Sequence, residues 1–143
     1  MEIIRLQSVN ESQVQDILQL MRELDSEIRV TPAMIQQTVA AEGTCFFALL
    51  DGAHIVGCAS LCVFYSPTGC KAHVEDVVVL SYYRGQQLGR RLVEHLIDYA
   101  RTELKEVDIY LTSRPQRVAA NELYQSLGFR RKETNVYKLE IRE

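Results

Sequence analysis

Three stretches of the 143-residue chain carry residues whose types and spacing could do chemistry. The first is Arg84-Gly85-Gln86-Gln87-Leu88-Gly89, which follows an apolar run and opens a stretch of helical periodicity. Amides at a helix start lack intrahelical partners and the dipole there favours negative charge, so this turn suits a phosphate. Arg84 adds charge, and Arg90 and Arg91 lie in the first turn. The same residues also suit an ordinary turn, with Gly85 bending the chain, Gly89 packed on a neighbour and the arginines solvated. The second stretch is Glu75-Asp76, adjacent carboxylates in a strand-like run, whose side chains should point to opposite faces and so cannot form one acid–base pair. Glu75 shares its expected face with His73, Val77 and Val79, and a partly desolvated carboxylate there could take a proton directly or through water. The third is Arg117, Asn121 and Tyr124, at i, i+4 and i+7, which lie along one face if the segment is helical.

The elements that must position these residues follow from periodicity. Residues 2–7 read as a first strand, and Asn10 or Ser12 can cap a helix in which Val14, Ile17, Leu18, Met21 and Leu24 recur at helical spacing. Thr31 and Pro32 fit the cap and first position of a second helix. From Thr44 the pattern turns to strands: 44–50 and 55–65 form a hairpin about Asp51-Gly52-Ala53-His54, and 71–80 follows the turn Ser66-Pro67-Thr68-Gly69. Both faces of 71–80 are largely apolar, as expected of a central strand covered on each side. A helix from about Leu88 to Leu104 leads to a strand at 107–112, so these two strands should pair in parallel through a crossover. Pro115 opens a last helix that Gly128 stops, and 129–133 with 135–141 supply two closing strands. The expected fold is α/β, a mixed central sheet of about seven strands flanked by about four helices in one domain over residues 1–143.

Composition narrows the function classes. A hydrophobic fraction of 47% with 24% charged residues and a formal charge of -3 describes an ordinary globular chain, with no global reason to expect nucleic-acid binding. The N-terminus lacks the pattern of a signal peptide and no apolar run reaches the roughly 18 residues of a membrane span, so a cytoplasmic protein without a membrane partner is expected. Cys45, Cys58, Cys62 and Cys70 have no C-x-x-C spacing or nearby histidine pair, so they are read as reduced thiols and no metal site is expected. The cradle is not a P-loop, which needs Lys before Ser or Thr, nor a G-x-G-x-x-G dinucleotide turn.

Taken together, the run 74–97 followed by Ala119-Ala120-Asn121-Glu122-Leu123-Tyr124-Gln125-Ser126-Leu127-Gly128-Phe129 resembles the GCN5-related N-acetyltransferase family. The resemblance covers most of the order of elements and is most specific from about His73 to Phe129. It implies a GNAT-like fold and acetyl-CoA as co-substrate, its pyrophosphate held by the amides of Arg84, Gly85, Gln86, Gln87, Leu88 and Gly89, with Arg90 beside them. It also implies that Val77, Val78 and Val79 belong to the strand that pairs with pantetheine and that Tyr124 gives a proton to the leaving sulfur. A phenol keeps its proton at neutral pH and so can serve as that acid. The run His73–Val79 is similar to the corresponding strand of glucosamine-phosphate and polyamine acetyltransferases, where the Glu position serves the incoming amine, so Glu75 is the expected base and Asp76 structural. An oxyanion would be met by the N–H of Val77 or Val78.

The chain departs from the family pattern at two places. Gln87 stands at a position usually held by Gly, which a backbone cradle tolerates if residue 87 takes helical dihedrals, its side chain pointing away from the phosphates. The second motif usually carries Asn seven residues before Tyr124, where this chain has Arg117, which either contacts a phosphate of the cofactor or is a solvated charge. Asn121 can reach the cofactor from one turn further along, or make a local bond instead. The reaction implied is transfer of acetyl to the primary amine of a small molecule by direct attack, with no cysteine nucleophile or metal. A protein or peptide N-terminus or lysine as acceptor, a longer acyl group or a hydroxyl acceptor, and a non-catalytic acyl-CoA sensor are the competing readings. A homodimer through the C-terminal strands is a further expectation.

Overall fold

Asn10 caps the first helix with a reciprocal pair: its side chain accepts from the Gln13 N–H at 2.8 Å and its own N–H donates to the Gln13 side chain at 2.9 Å. This fixes α1 (Glu11–Leu24), which buries Val14, Ile17, Leu20 and Met21. Leu18 and Leu24, expected on that stripe, are only partly buried, and Leu20 takes the central place. Thr31 caps α2 (Pro32–Ala40) through a bond from the Met34 N–H at 3.2 Å, with Pro32 in the first turn where its missing N–H costs nothing.

The computed structural model describes residues 1–143, in two compact units, Met1–Thr112 and Ser113–Glu143. The first unit holds a five-stranded sheet in the order β1 (Glu2–Leu6), β2 (Thr44–Asp51), β3 (His54–Ser66), β4 (Gly69–Val79) and β5 (Asp108–Tyr110). The first three pairings are antiparallel, and β4 with β5 is parallel, as the crossover helix requires. That helix, α3 (Leu88–Tyr99), runs on through one wider turn to Leu104, which closes with the Lys105 N–H on the Ala100 carbonyl at 2.9 Å.

The two sheet faces bury different sets. Val14, Ile17, Leu20 and Met21 of α1 and Ile35 and Val39 of α2 cluster with Phe46, Ala48, Ile55, Cys58 and Val78. Leu92 of α3 is fully buried near Gly57 and Val79 on the other face. A leucine buried to this degree contributes roughly 1.5–3 kcal/mol, so α3 is anchored chiefly by Leu92, Val93 and Leu96.

The second unit holds α4 (Val118–Ser126), which starts three residues later than Pro115 predicts. The residues before it are taken up by turns, with the Arg117 N–H on the Arg114 carbonyl at 3.0 Å and the Val118 N–H on Gln116 at 2.9 Å. Gly128, at φ +101°, ends the helix as expected. The two closing strands are not formed: residues 129–143 carry no ladder, and the sheet has five strands rather than about seven. Alternating apolar residues make a segment able to pair, but a strand exists only where a partner edge supplies hydrogen bonds. Val136, Tyr137, Leu139 and Ile141 are accordingly 74–88% exposed.

Candidate active site

In β4 the regular alternation breaks. Ser60 of β3 stands opposite Glu75, yet Cys58 stands opposite Val78, so Asp76 and Val77 fall inside a bulge. Asp76 takes φ +53°, a left-handed conformation that Asp tolerates better than most residues. The bulge overturns the expected alternation of faces. Lys71, His73 and Glu75 share a face with Cys62 and Ser60, but that face continues at Val78, which joins the α1 core, and not at Val77 or Val79. Val79 lies on the α3 side, where its Cγ2 is 3.3 Å from a Cβ built on Gly57.

The same bulge overturns the expectation that Glu75 and Asp76 point to opposite faces. Asp76 lines an open recess with Ile17 and Met21 of α1, Ile35 and Thr38 of α2, Phe46 and the buried Ser60. Ser60 is also opposite Glu75, so both carboxylates belong to the α1/α2 side. Burial pushes the Asp76 carboxyl above its usual range, because the apolar walls solvate the anion poorly. Both carboxylates are exposed; the Glu75 side chain is 53% exposed, and His73 Nδ1 lies 4.0 Å from its Oε1. Sequence gives one signal for this, the pair Glu75-Asp76 itself, but not the extra residue that turns both to one side.

The turn after β4 passes through Ser81–Tyr83, one tight helical turn, into Arg84. Glu23 of α1 holds this turn, accepting from the Ser81 hydroxyl at 2.9 Å and N–H at 3.4 Å, with Arg84 Nη2 3.7 Å from its other oxygen. These bonds keep the Glu23 carboxyl below its usual range, the Ser81 hydroxyl having the largest effect. Tyr83 donates to Asp51 at 2.6 Å and so ties the turn to the β2–β3 hairpin. Beyond it, Gly85 takes φ +84° and Gln87, the cap of α3, takes φ 57° and ψ 30°.

Gln87 is thus left-handed and not helical as expected. The chain must curl twice within three residues to enter α3, and an unbranched side chain accepts the strain at a cost of about 1–2 kcal/mol. Two left-handed residues around Gln86 followed by a helix start create a concave run of amides, a geometry that receives anions. Space is present as well. A Cβ built on Gly85 or Gly89 meets no heavy atom within 4 Å, so Gly89 is not there to pack against a neighbour. Arg84, Gly85, Gln86 and Gln87 are exposed, Leu88 is buried, and Arg90 pairs with Glu94 at 2.8 Å. The residues present therefore fit a bound pyrophosphate.

In the second unit Arg117 is the exposed cap of α4, not a member of its face, and its carbonyl accepts the first helical bond from Asn121 at 2.9 Å. The Asn121 side chain donates to the Arg114 carbonyl at 3.0 Å, which holds the preceding turn. Tyr124 is buried, with Phe129 edge-on at 6.1 Å between ring centroids. The Phe129 N–H returns to the Tyr124 carbonyl at 3.0 Å, so the helix end and this ring pair are fixed together. No group of three or more His, Cys, Asp or Glu is placed to hold a metal ion, and no helix is long and apolar enough to cross a membrane.

Comparison with known proteins agrees with these features. The chain is 30% identical over 100 residues to the N-alpha-acetyltransferase RimI of Mycobacterium tuberculosis, a match covering 70% of this chain and 61% of that protein. A shorter stretch of 39 residues is 46% identical to glucosamine 6-phosphate N-acetyltransferase of Arabidopsis thaliana, covering 27% of this chain and 26% of that one. Among solved structures, a putative acetyltransferase from Agrobacterium tumefaciens str. C58 superposes over 100% of both chains with a TM-score of 0.80 at 22% identity, which shows the shared fold. The family model described as the acetyltransferase (GNAT) family matches residues 12–129, from α1 through the cradle to Phe129, and the chain belongs to that family.

Proposed function

We propose that this chain is an acetyl-CoA-dependent N-acetyltransferase that moves an acetyl group to the primary amine of a small molecule by direct attack. The observation that carries this reading is the bulge of β4, which sets Glu75 and Asp76 on one side of the sheet beside an open recess. Acetyl-CoA, when bound, supplies an activated acyl carbonyl. The amides of residues 84–89 hold its pyrophosphate, and the backbone of Val77, Val78 and Val79 pairs with the pantetheine arm that reaches toward the bulge. Glu75, open to solvent, removes a proton from the acceptor ammonium directly or through water, leaving a neutral nucleophile. The Val77 N–H, released from the regular ladder by the bulge, is the donor for developing negative charge on the carbonyl oxygen. Tyr124 holds a proton at its hydroxyl for the leaving sulfur. Both units form one acetyltransferase domain in this reading. Arg117 and Asn121 shape the approach to Tyr124, and the protein works in the cytoplasm as a homodimer joined through its exposed C-terminal residues.

The similarity to RimI supports a second reading, in which the acceptor is a peptide N-terminus. One assay tests both: release of CoA from acetyl-CoA with small amines, amino sugars and short peptides, for the wild type beside Glu75→Gln and Tyr124→Phe. Loss of a positioned base or acid costs on the order of 100-fold or more in kcat. Equal rates for all three proteins at saturating acetyl-CoA refute the acid–base roles. Stabilisation by acetyl-CoA without turnover on any acceptor refutes the transferase reading in favour of a sensor.

A further inference from the structure

On the α1/α2 side of the sheet, beyond the recess, three rings stand in a row across three strands. Phe64 of β3 and Tyr110 of β5 flank His73 of β4, with centroid separations of 5.8 Å and 5.7 Å and interplanar angles of 36° and 26°. The register accounts for the row: Tyr110 stands opposite His73, and Phe64 is the next residue on the face that Cys62 shares with His73. These rings are not core. Phe64 is 45% exposed, the His73 side chain 41%, and Tyr110 is half-buried.

We infer that this row is the acceptor platform, and that the acceptor is a cationic primary amine joined to an aromatic ring by two or three carbons. The inference rests on the reading of Glu75 as the acceptor-facing carboxylate and adds the part of the substrate that does not react. His73 and Glu75 are two residues apart on one face, about 7 Å along the strand. The Glu75 side chain leans back toward the His73 ring, Oε1 lying 4.0 Å from His73 Nδ1, so a ring stacked on the row reaches the carboxylate with its ammonium through a short tether of two or three carbons. Charge agrees with the choice: Glu75 and Asp76 are adjacent acidic groups on β4 beside His73, the middle ring of the row, which favours a cation over an anionic acceptor. Geometry agrees too, because exposed rings about 6 Å apart at shallow angles offer an offset-stacking surface to a further ring.

The test is calorimetric titration of the CoA-saturated protein with 2-phenylethylamine and with 2-cyclohexylethylamine, which matches it in length and charge but cannot stack. Ring stacking adds a preference of about 3- to 10-fold for the phenyl compound. That ratio is expected to fall to about one in Phe64→Leu and Tyr110→Leu, which keep apolar bulk, and to persist in Phe64→Tyr. A ratio near one in the wild type, a ratio that survives both leucine variants, or no binding of either amine overturns the inference. Because the titration uses CoA and no acyl donor, it separates two failures. Stacking preference without acetylation of either amine sinks the transferase reading alone, whereas acetylation without preference sinks the platform alone.

Discussion

Gly89→Ala separates the two readings of the cradle, because a purely structural turn and a phosphate site demand opposite outcomes. Gly89 is the second residue of α3, and a Cβ there meets no heavy atom within 4 Å. The protein itself therefore has no steric use for the missing side chain. Alanine is favoured over glycine in helices by about 0.5–1 kcal/mol, and part of that is retained in a first turn. For a chain of this size the variant should melt about 1–3 °C higher than the wild type. With the phosphate present the sign reverses. A backbone amide donating to a phosphate oxygen must approach to about 2.9 Å, and a methyl group at the same residue crowds that approach. Loss of one such charge-assisted bond is worth about 1.5–3 kcal/mol, or roughly 10-fold to 150-fold in affinity. The assay pairs thermal melting of the unliganded protein with calorimetric titration of CoA. A higher melting point with much weaker CoA binding is the expected result. Unchanged CoA affinity would falsify the cradle at this residue, and a lower melting point would show that Gly89 has a packing role after all.

Two further perturbations follow from backbone geometry. Gln87→Gly relieves a left-handed residue that has a Cβ, and although glycine's entropy offsets part of the gain, the melting point should rise by about 2–4 °C; no rise would mean that the residue is not held left-handed in solution. Asp76→Asn keeps a residue that tolerates φ +53° but removes the poorly solvated charge. Burial raises the folded-state pKa of Asp76 above its unfolded value, so the native state binds the proton more tightly. The wild type then loses stability as pH rises from about 3.9 through the folded pKa, and the asparagine variant should not. Denaturant titrations from pH 3.5 to 8 should show the variant gaining on the wild type as pH rises; a constant difference across that range refutes the argument.

Much of the architecture was legible in local chemistry. Asn10 and Thr31 can each satisfy a helix start, and both do so, while Gly128 ends α4 because a positive φ is needed there. The parallel pairing of β4 with β5 followed from the length of the crossover between them. The start of α4 was misread because Pro115 is equally at home in the turns that precede the helix, where the Arg114 carbonyl gathers bonds from Arg117 and Asn121. The closing strands were misread because alternation in residues 129–141 measures capacity to pair, and pairing depends on an edge elsewhere.

By itself the sequence determined which residues could do chemistry and the order of most elements that carry them: a cradle between β4 and α3, a carboxylate pair in β4 and a tyrosine in α4. Each of these depends on contacts within a few residues, where side-chain type and spacing carry the information. Only the tertiary structure decided where the carboxylates face, because one extra residue between the pairs Ser60–Glu75 and Cys58–Val78 shifts the alternation of everything after it. It likewise decided that Gln87 is left-handed, since the path from β4 into α3 is imposed by strands and helices packed around the turn. The ring row of Phe64, His73 and Tyr110 belongs to the same class: three residues remote in sequence become neighbours only through the registers of β3, β4 and β5.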